Sequence, residues 1–502
     1  MNPPPRTLLA PDLEISSIVT GLWQVADQER ANGPLDQQLA SSALLDYARA
    51  GFDSFDMADH YGSAEIIAGR LLQRIASGEQ AGGARPTVFT KWCPAPGPMT
   101  REIVREGVDR ARKRLGVETI DLMQFHWWSF EHPGYLDAMK ELAALRRDGL
   151  IRHVGVTNFD TAHLRVLVKH GIPVVSNQIS FSLLDRRAAG EMSAFCLEHG
   201  VRLLAYGTLA GGLISERWVG QPEPAPNAIA DWSKSKYKRF VDEVGGWRAL
   251  QEILGALAKI ALKHGVSLAN VATRWALDHR AVAAVIVGAR LGERNHSADN
   301  LNAFAFALDA QDNDAITAAL AATKPLDGDC GDEYRRPPFL TASGDLSHHL
   351  EILPKVYEAE RIEGRADRWR VDSGSVWEPI AGYSRAVRVG ERILVSGTTA
   401  TNGSGEVVCP NDAAGQTVFI LDKIAASLAA VGGKLEDVVR TRVYLKDADQ
   451  WEPVSRAHGR YFGHIRPANT LLEISRLVGD YEVEIEAEAV VAPGRAVGND
   501  PA

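Results

Sequence analysis

Cysteine is scarce in this 502-residue chain: Cys93, Cys196, Cys330 and Cys409 lie far apart, with no C-x-x-C pair. That spacing excludes a disulfide framework and a cysteine-rich zinc site, and a reducing cytoplasm is the expected setting. Long hydrophobic runs are missing as well. No stretch of about 18 uninterrupted apolar residues occurs, so a membrane span is not expected. The N-terminus, MNPPPRTLLAPDLEIS, begins with prolines and has no apolar core of signal-peptide length. Positive charge is in deficit, 55 Lys+Arg against 64 Asp+Glu for a net charge of -9. Such a chain has no general attraction to nucleic acid or anionic lipid. No G-x-G-x-x-G follows a strand pattern, which argues against a Rossmann dinucleotide fingerprint.

What is present is ordinary globular material, 45% hydrophobic and 24% charged, in a chain too long for one domain of roughly one to two hundred residues. The first 320 residues alternate short apolar runs with helical stretches. The runs are 18–25, 52–58, 87–92, 120–127, 153–158, 174–179, 202–207 and 282–288. They are near-continuously apolar, as parallel strands covered by helices are. Helical spacing follows in 41–50 and 101–115. Eight strand-then-helix units predict an α/β protein with a (β/α)8 barrel over 1–323. A long excursion, 208–250, leaves the barrel's catalytic face and reads as a binding loop. Residues 324–367 read as a linker rich in Pro and Gly, with a short helix at 348–363. From 368 to 502 the order becomes β-β-β-α-β-α-β-β, with strands expected at 368–377, 386–389, 392–396, 439–445, 470–474 and 481–491, and helices at 412–431 and 449–462. That order predicts a smaller α+β domain with its helices on one face of a sheet.

Barrel chemistry gathers where strands end. The second run ends FDMADHYG, bringing Asp56 and Tyr61 to that rim; the third ends VFTKW with Lys91; the fourth ends DLMQFHWW with His126. A Tyr is a poor acid at neutral pH, and a neighbouring ammonium favours its phenolate. Asp56 can hold Lys91, and His126 can polarise a carbonyl oxygen. Together they suit proton donation to an alkoxide that forms as hydride reaches carbon. Trp23, Trp127 and Trp128 are candidate substrate-pocket walls.

These four residues resemble the signature of the aldo-keto reductase family. The resemblance covers about residues 8–322 and continues in order. Thr157 and Asn158 of GVTNF, and Gln178 of SNQISFSLLDRR, are implied to hold the nicotinamide carboxamide. Tyr206 of AYGTLAGGL is implied to stack on the nicotinamide, with Gly207, Leu209 and Gly211 in a loop for the pyrophosphate. The segment VGARLGERNHSADNL, with Gly288, Arg290, Arg294 and Asn300, is implied to bind the adenosine end. Gly288 stands where many members carry a phosphate-binding Lys, so Arg290 and Arg294 become the candidate ligands of a 2'-phosphate. NADP(H) is expected over NAD(H), and no metal is expected.

The C-terminal segment resembles the Rid (YjgF-like, reactive intermediate deaminase) family over about 370–492. Tyr383 and Glu484 match cleft positions of that family, but Asn469 stands where active deaminases hold a substrate carboxylate with Arg. A neutral amide cannot supply that charge-assisted pair, although Arg385 or Arg466 remains an alternative. The resemblance implies a homotrimer or a dimer of trimers. The expectation is a cytoplasmic NADP(H)-dependent reductase of small carbonyls, or alcohol dehydrogenase, fused to a Rid-like domain without classical deaminase activity. Alternatives are a bifunctional reductase and imine/enamine deaminase, and an NADP(H)-binding redox sensor with slow turnover.

Overall fold

The computed structural model describes residues 3–25, 35–225, 228–229, 232–335, 354–365 and 367–497. An antiparallel hairpin, β1 (Arg6–Ala10) and β2 (Leu13–Ser16), opens the chain. The apolar runs did not anticipate it. Its Leu9, Leu13 and Ile15 are buried in one cluster with Val19, Phe89, Leu122 and Leu204 of the barrel strands, so the hairpin plugs one end of the barrel.

Eight parallel strands then close on themselves: β3 (Ile18–Gly21), β4 (Ser54–Asp56), β5 (Thr87–Trp92), β6 (Ile120–His126), β7 (Ile151–Thr157), β8 (Val174–Ser180), β9 (Arg202–Tyr206) and β10 (Val282–Gly288). Closure is the β10–β3 pairing, Val285 opposite Ile18 through Gly288 opposite Gly21. The strands are buried almost throughout, which is why their sequences do not alternate. The first run breaks after Gly21, and Trp23–Val25 forms a 3-10 turn instead of strand. Helix limits follow local capping. Asp36 accepts from the N–H groups of Gln38 and Leu39 and starts Gln37–Arg49 four residues before the expected 41. Gly116, in the left-handed region at φ 64°, ends Arg101–Leu115.

The second unit is a seven-stranded sheet: β11 (Ala359–Arg361), β12 (Arg368–Val371), β13 (Ala386–Val389), β14 (Arg392–Thr399), β15 (Val438–Leu445), β16 (Ala468–Glu473) and β17 (Val483–Val490). Its spatial order is β11-β12-β13-β14-β17-β15-β16. Two expectations are corrected. The described part of 348–363 holds no helix; it carries β11, which pairs with the edge of β12, and residues 348–353 lie outside the described residues. The strand expected over 368–377 stops at Val371. There the Glu378 carboxylate accepts from the Ser373 and Ser375 amides and turns the chain into the short helix Trp377–Ala381.

The helix Ala413–Ala430 is 18 residues long and apolar enough to cross a membrane by composition, with a mean hydropathy of 1.2, yet 89% of it is buried inside the protein. It packs on β14 and β17 with one side and on the barrel helix Thr161–Lys169 with the other. Polar groups are matched across this junction. Arg165 donates through Nε and a terminal nitrogen to Asp412, both at 2.7 Å. Tyr135 donates to Asp422 at 3.0 Å and Tyr461 donates to the same carboxylate at 2.7 Å. Lys140 pairs with Glu406.

His163 sits in the middle, stacked on Phe130 with ring centroids 3.5 Å apart. Its Nδ1 lies 2.8 Å from Asp160 and its Nε2 lies 3.3 Å from Asp422. Burial alone pushes this imidazole's pKa down, but the two carboxylates outweigh burial and raise it. A raised folded-state pKa contributes stability that is fully present below the unfolded value, about 6.5, and is lost as pH rises through the folded value. His163→Gln is therefore expected to destabilise the chain more at pH 5 than at pH 9, by about 3 kcal/mol or more at the acid end. Urea unfolding of both proteins across pH measures it; a pH-independent difference would show that folding leaves the His163 pKa unchanged.

Candidate active site

Asp56, the last residue of β4, is the hub of the barrel's C-terminal rim. Lys91 donates from Nζ to Asp56 Oδ2 at 2.6 Å and to the Met57 carbonyl at 3.0 Å. Both side chains are almost wholly buried, 2% and 4% exposed for Lys91 and Asp56. The other carboxylate oxygen accepts from Gln124 Nε2 at 2.8 Å and Gln178 Nε2 at 2.7 Å, and Gln178 also donates to Gln124 Oε1 at 2.9 Å. Charge and hydrogen-bonding capacity are thus matched within a dry site.

Tyr61 follows on the loop after β4. Its ring packs edge-on against Trp23 and His60, each with centroids 4.8 Å away, and the Lys91 ammonium lies 5.0 Å from its centroid. His126 ends β6 beside them. Burial, then the neighbouring basic groups, Arg335 foremost, hold its pKa well below the usual histidine range, so the imidazole is neutral. Asn158 donates from Nδ2 to His126 Nε2 across 3.4 Å. All four tetrad candidates therefore line one cavity of about 820 Å3.

The expected cofactor residues extend along the same cavity. Thr157, Asn158, Gln178, Tyr206, Gly207, Leu209, Gly211, Gly288, Arg290 and Arg294 line it, whereas Asn300, at the end of the helix Ser297–Asn300, does not. Thr157 Oγ1 is buried without a hydrogen-bond partner, the signature of a group that meets a ligand. Tyr206 donates to Asn158 Oδ1 at 2.7 Å. Burial, with Tyr334 and Glu333 nearby, raises its pKa well above that of a free phenol. Gly207 is required as glycine: its φ is 73° and a Cβ would stand 2.2 Å from the Tyr237 hydroxyl.

The tryptophans divide. Trp23 lines the cavity. Trp127 does not; it stacks on Phe125 at 5.5 Å and donates to the His132 carbonyl at 2.9 Å, within the layer outside the strand. Trp128 lies behind His126, centroids 3.9 Å apart, and supports it rather than walling the pocket.

Residues 324–335, read from sequence as the start of a linker, reach the cavity mouth. Tyr334 lines the cavity, with its hydroxyl 3.2 Å from that of Tyr206 and its ring 5.6 Å from the His126 ring. Lys236, from the excursion after β9, bonds to the Tyr334 hydroxyl and lies 4.2 Å from its ring centroid. Glu333 is buried on Arg187 at 2.8 Å, and Arg187 also holds Asp185 at 2.7 Å. Arg335 donates to the carbonyls of Trp127 at 3.0 Å and Asn158 at 2.7 Å, with its guanidinium 4.2 Å from the Phe130 centroid. A Tyr flanked by charges in DCGDEYRRPP was the available signal. Gln124 was legible too, two residues before His126 on the same face of β6.

Among the described residues one group could bring three ligand atoms together, Asp59, His60 and Cys93, within 4.8 Å of one another. Asp59 is engaged there by the His60 ring at 3.1 Å and the Cys93 amide at 3.2 Å.

In the second domain, Tyr383 accepts from Arg385 at 3.3 Å, and Arg385 also donates to the Gly397 carbonyl at 2.6 Å. Glu484 faces Gly397, where a Cβ would lie 2.0 Å from Oε1. Burial raises its pKa, against the pull of Arg385. Asn469 is elsewhere. It donates at 2.9 Å to Thr441, which also meets His458 of the helix Trp451–Phe462. It thus belongs to the helix-covered face, opposite Glu484, and within one chain the two share no cleft. Arg466 lies in neither place; it bonds the Gly463 carbonyl at 3.3 Å.

Comparison with known proteins agrees with this geometry. The profile of the aldo/keto reductase family matches residues 17–321, and that described as Endoribonuclease L-PSP matches 374–491. The chain is 32% identical over 224 residues to flagellar radial spoke protein 5 of Chlamydomonas reinhardtii, spanning 38% of this chain and 42% of that protein's length. It is 24% identical to the NADH-specific methylglyoxal reductase of Escherichia coli, over 58% of this chain and 92% of that protein. A RutC family protein of Pyrococcus abyssi is 36% identical over 22% of this chain and 88% of its own length. The chain belongs to the aldo/keto reductase family, its oxidoreductase barrel fused to a C-terminal YjgF/RutC-type domain.

Proposed function

We propose that the barrel interconverts small carbonyls and alcohols with NADP(H), and that Tyr61 is the proton donor. The observation that carries this reading is the buried Asp56–Lys91 pair beside Tyr61, in one cavity with a neutral His126. The nicotinamide, when bound, supplies or accepts the hydride at the substrate carbon. The protein's own groups manage the proton and the geometry. Tyr61 protonates the developing alkoxide, and the Lys91 ammonium stabilises the phenolate left behind. Asp56 holds Lys91 in place through the 2.6 Å hydrogen bond. His126, uncharged, orients the carbonyl oxygen without competing as an acid. Thr157, Asn158 and Gln178 suit the carboxamide, Tyr206 the nicotinamide face, and the loop with Gly207, Leu209 and Gly211 the pyrophosphate.

Cofactor choice rests on charge. Arg217, Arg239, Arg290 and Arg294, with Lys234 and Lys236, line the cavity against Glu293 and Asp56. A cavity so basic in an acidic chain favours a ligand with several phosphates, and Arg290 and Arg294 after β10 suit a 2'-phosphate. The second domain is read as a self-association or ligand-binding unit without classical deaminase activity. Supporting this, Asn469 is committed to Thr441, and the sheet face away from the helices exposes Leu394, Leu472 and Val490. A homotrimer, or two trimers together, fits that face, and a cytoplasmic setting fits four cysteines that form no disulfide.

Tyr61→Phe is expected to lower kcat by about 10²–10⁴-fold while NADPH binding, followed by fluorescence, stays nearly unchanged. Retention of more than about a tenth of kcat removes Tyr61 from the acid role. The double variant Arg290→Ala, Arg294→Ala is expected to weaken NADPH by about tenfold or more and NADH little; equal weakening would return the cofactor to NAD(H). Purified chain given a 2-imino acid is expected to release no ammonia above the uncatalysed rate, and light scattering is expected to give a multiple of three chains.

A further inference from the structure

Arg460 stands on the second domain's helix Trp451–Phe462, yet its guanidinium ends in the barrel. It meets Asp160 Oδ2 at 2.8 Å, donates to Asp329 Oδ2 at 3.2 Å and lies 3.9 Å from Asp332 Oδ1. Each partner is tied to the reaction cavity. Asp160 follows Asn158 by two residues and caps the helix Thr161–Lys169, accepting the His163 amide at 2.8 Å. Asp329 accepts the Thr161 amide at 2.8 Å, and its carbonyl accepts from Arg187, the cation that holds Glu333. Asp332 accepts the Asp329 amide at 2.8 Å. One guanidinium thus joins the loop after β7 to the segment 329–335, which carries Tyr334 into the cavity.

The approach of that segment is close. Gly331 has φ 83°, and a Cβ there would stand 2.1 Å from the Asn158 carbonyl. Three carboxylates converging on a largely buried spot repel one another unless a cation lies among them. Arg335, on the barrel side, is directed at the Trp127 and Asn158 carbonyls, so Arg460 is the cation that bridges Asp160 to Asp329.

We infer that the C-terminal domain is a working part of the reductase site, and that Arg460 is a positioning residue that holds segment 329–335, and with it Tyr334 and Asn158, in register with the tetrad. The inference rests on the reductase reading above. It makes carbonyl turnover conditional on domain docking, because the guanidinium that bridges Asp160 to Asp329 comes from the second domain.

The test uses the full chain and four variants: Arg460→Met, Arg460→Lys, Arg165→Met and Tyr61→Phe. Arg165 serves as control, because its pair with Asp412 crosses the same junction but leads away from the cavity. Melting midpoint, cofactor binding, and kcat and KM for one reduced aldehyde are measured for each. Arg460→Met is expected to lower kcat/KM roughly tenfold, mainly through KM, since Tyr334 walls the substrate end and the Asp56–Lys91–Tyr61 group is untouched. Arg460→Lys is expected to restore most of the loss. Arg165→Met is expected to lower the melting midpoint and leave kcat/KM within about twofold. Unchanged kcat/KM in Arg460→Met, or an equal loss in Arg165→Met, overturns the inference. If Arg460→Met does not fold, Asp329→Asn replaces it: a raised KM supports the inference and an unchanged one sinks it. An active Tyr61→Phe instead overturns the reductase reading, so the two failures are told apart.

Discussion

The Asp56 carboxylate is the constraint on which the reaction centre depends. It lies in the barrel's interior, where an unpaired charge would cost several kcal/mol. The sequence meets that cost from three strands, with Lys91 on β5, Gln124 on β6 and Gln178 on β8. Each of these groups is thereby fixed, and with Lys91 the environment of Tyr61 is fixed as well. The arrangement of the candidate site is in this sense a by-product of neutralising one buried anion. The amide of Gln178 is oriented by the same carboxylate, so proton chemistry and the expected carboxamide contact are coupled at one residue.

A second set of acids, Asp160, Asp332 and Asp422 buried and Asp329 half-buried, does for the domain junction what Asp56 does for the site. Their cations and donors come from both halves: His163 and Tyr135 from the barrel, Arg460 and Tyr461 from the second domain. Such a junction resists separation, because undocking would leave acids from each half in poor surroundings. It differs from the polar, readily parted contacts usual between domains of one chain.

The barrel was legible because it is written in local pattern. Eight apolar runs declare eight covered strands; Asp56, Lys91 and His126 stand at or next to strand ends, and Tyr61 stands on the loop just after β4. The β1–β2 hairpin was not legible from alternation, since five- and four-residue strands buried on a barrel floor leave almost no period to detect. Trp127 and Trp128 misled because a residue just past a strand can turn inward or outward, and side-chain volume does not decide which. Segment 324–335 misled more deeply. Its Gly and Pro content has the composition of a linker, but its charges are answered by Arg187 and Arg460, 142 and 131 residues away from Asp329 along the chain. Long-range pairing of that kind has no local signature. Asn469 shows the opposite case: the loss of Arg was plain in the sequence, while its place on the helix-covered face needed the register of β15 with β16.

The helix Ala413–Ala430 is covered over nearly all of its surface, being held between its own sheet and the barrel helix Thr161–Lys169. In a chain made from the N-terminus, domains generally fold as they emerge. The barrel's last strand ends at Gly288 and its last helix at Ala321, so the barrel is complete about 90 residues before Ala413 is made. The order of synthesis therefore supplies the cover before the segment that needs covering, and the one helix among the described residues apolar enough to cross a membrane by composition is born next to its partner.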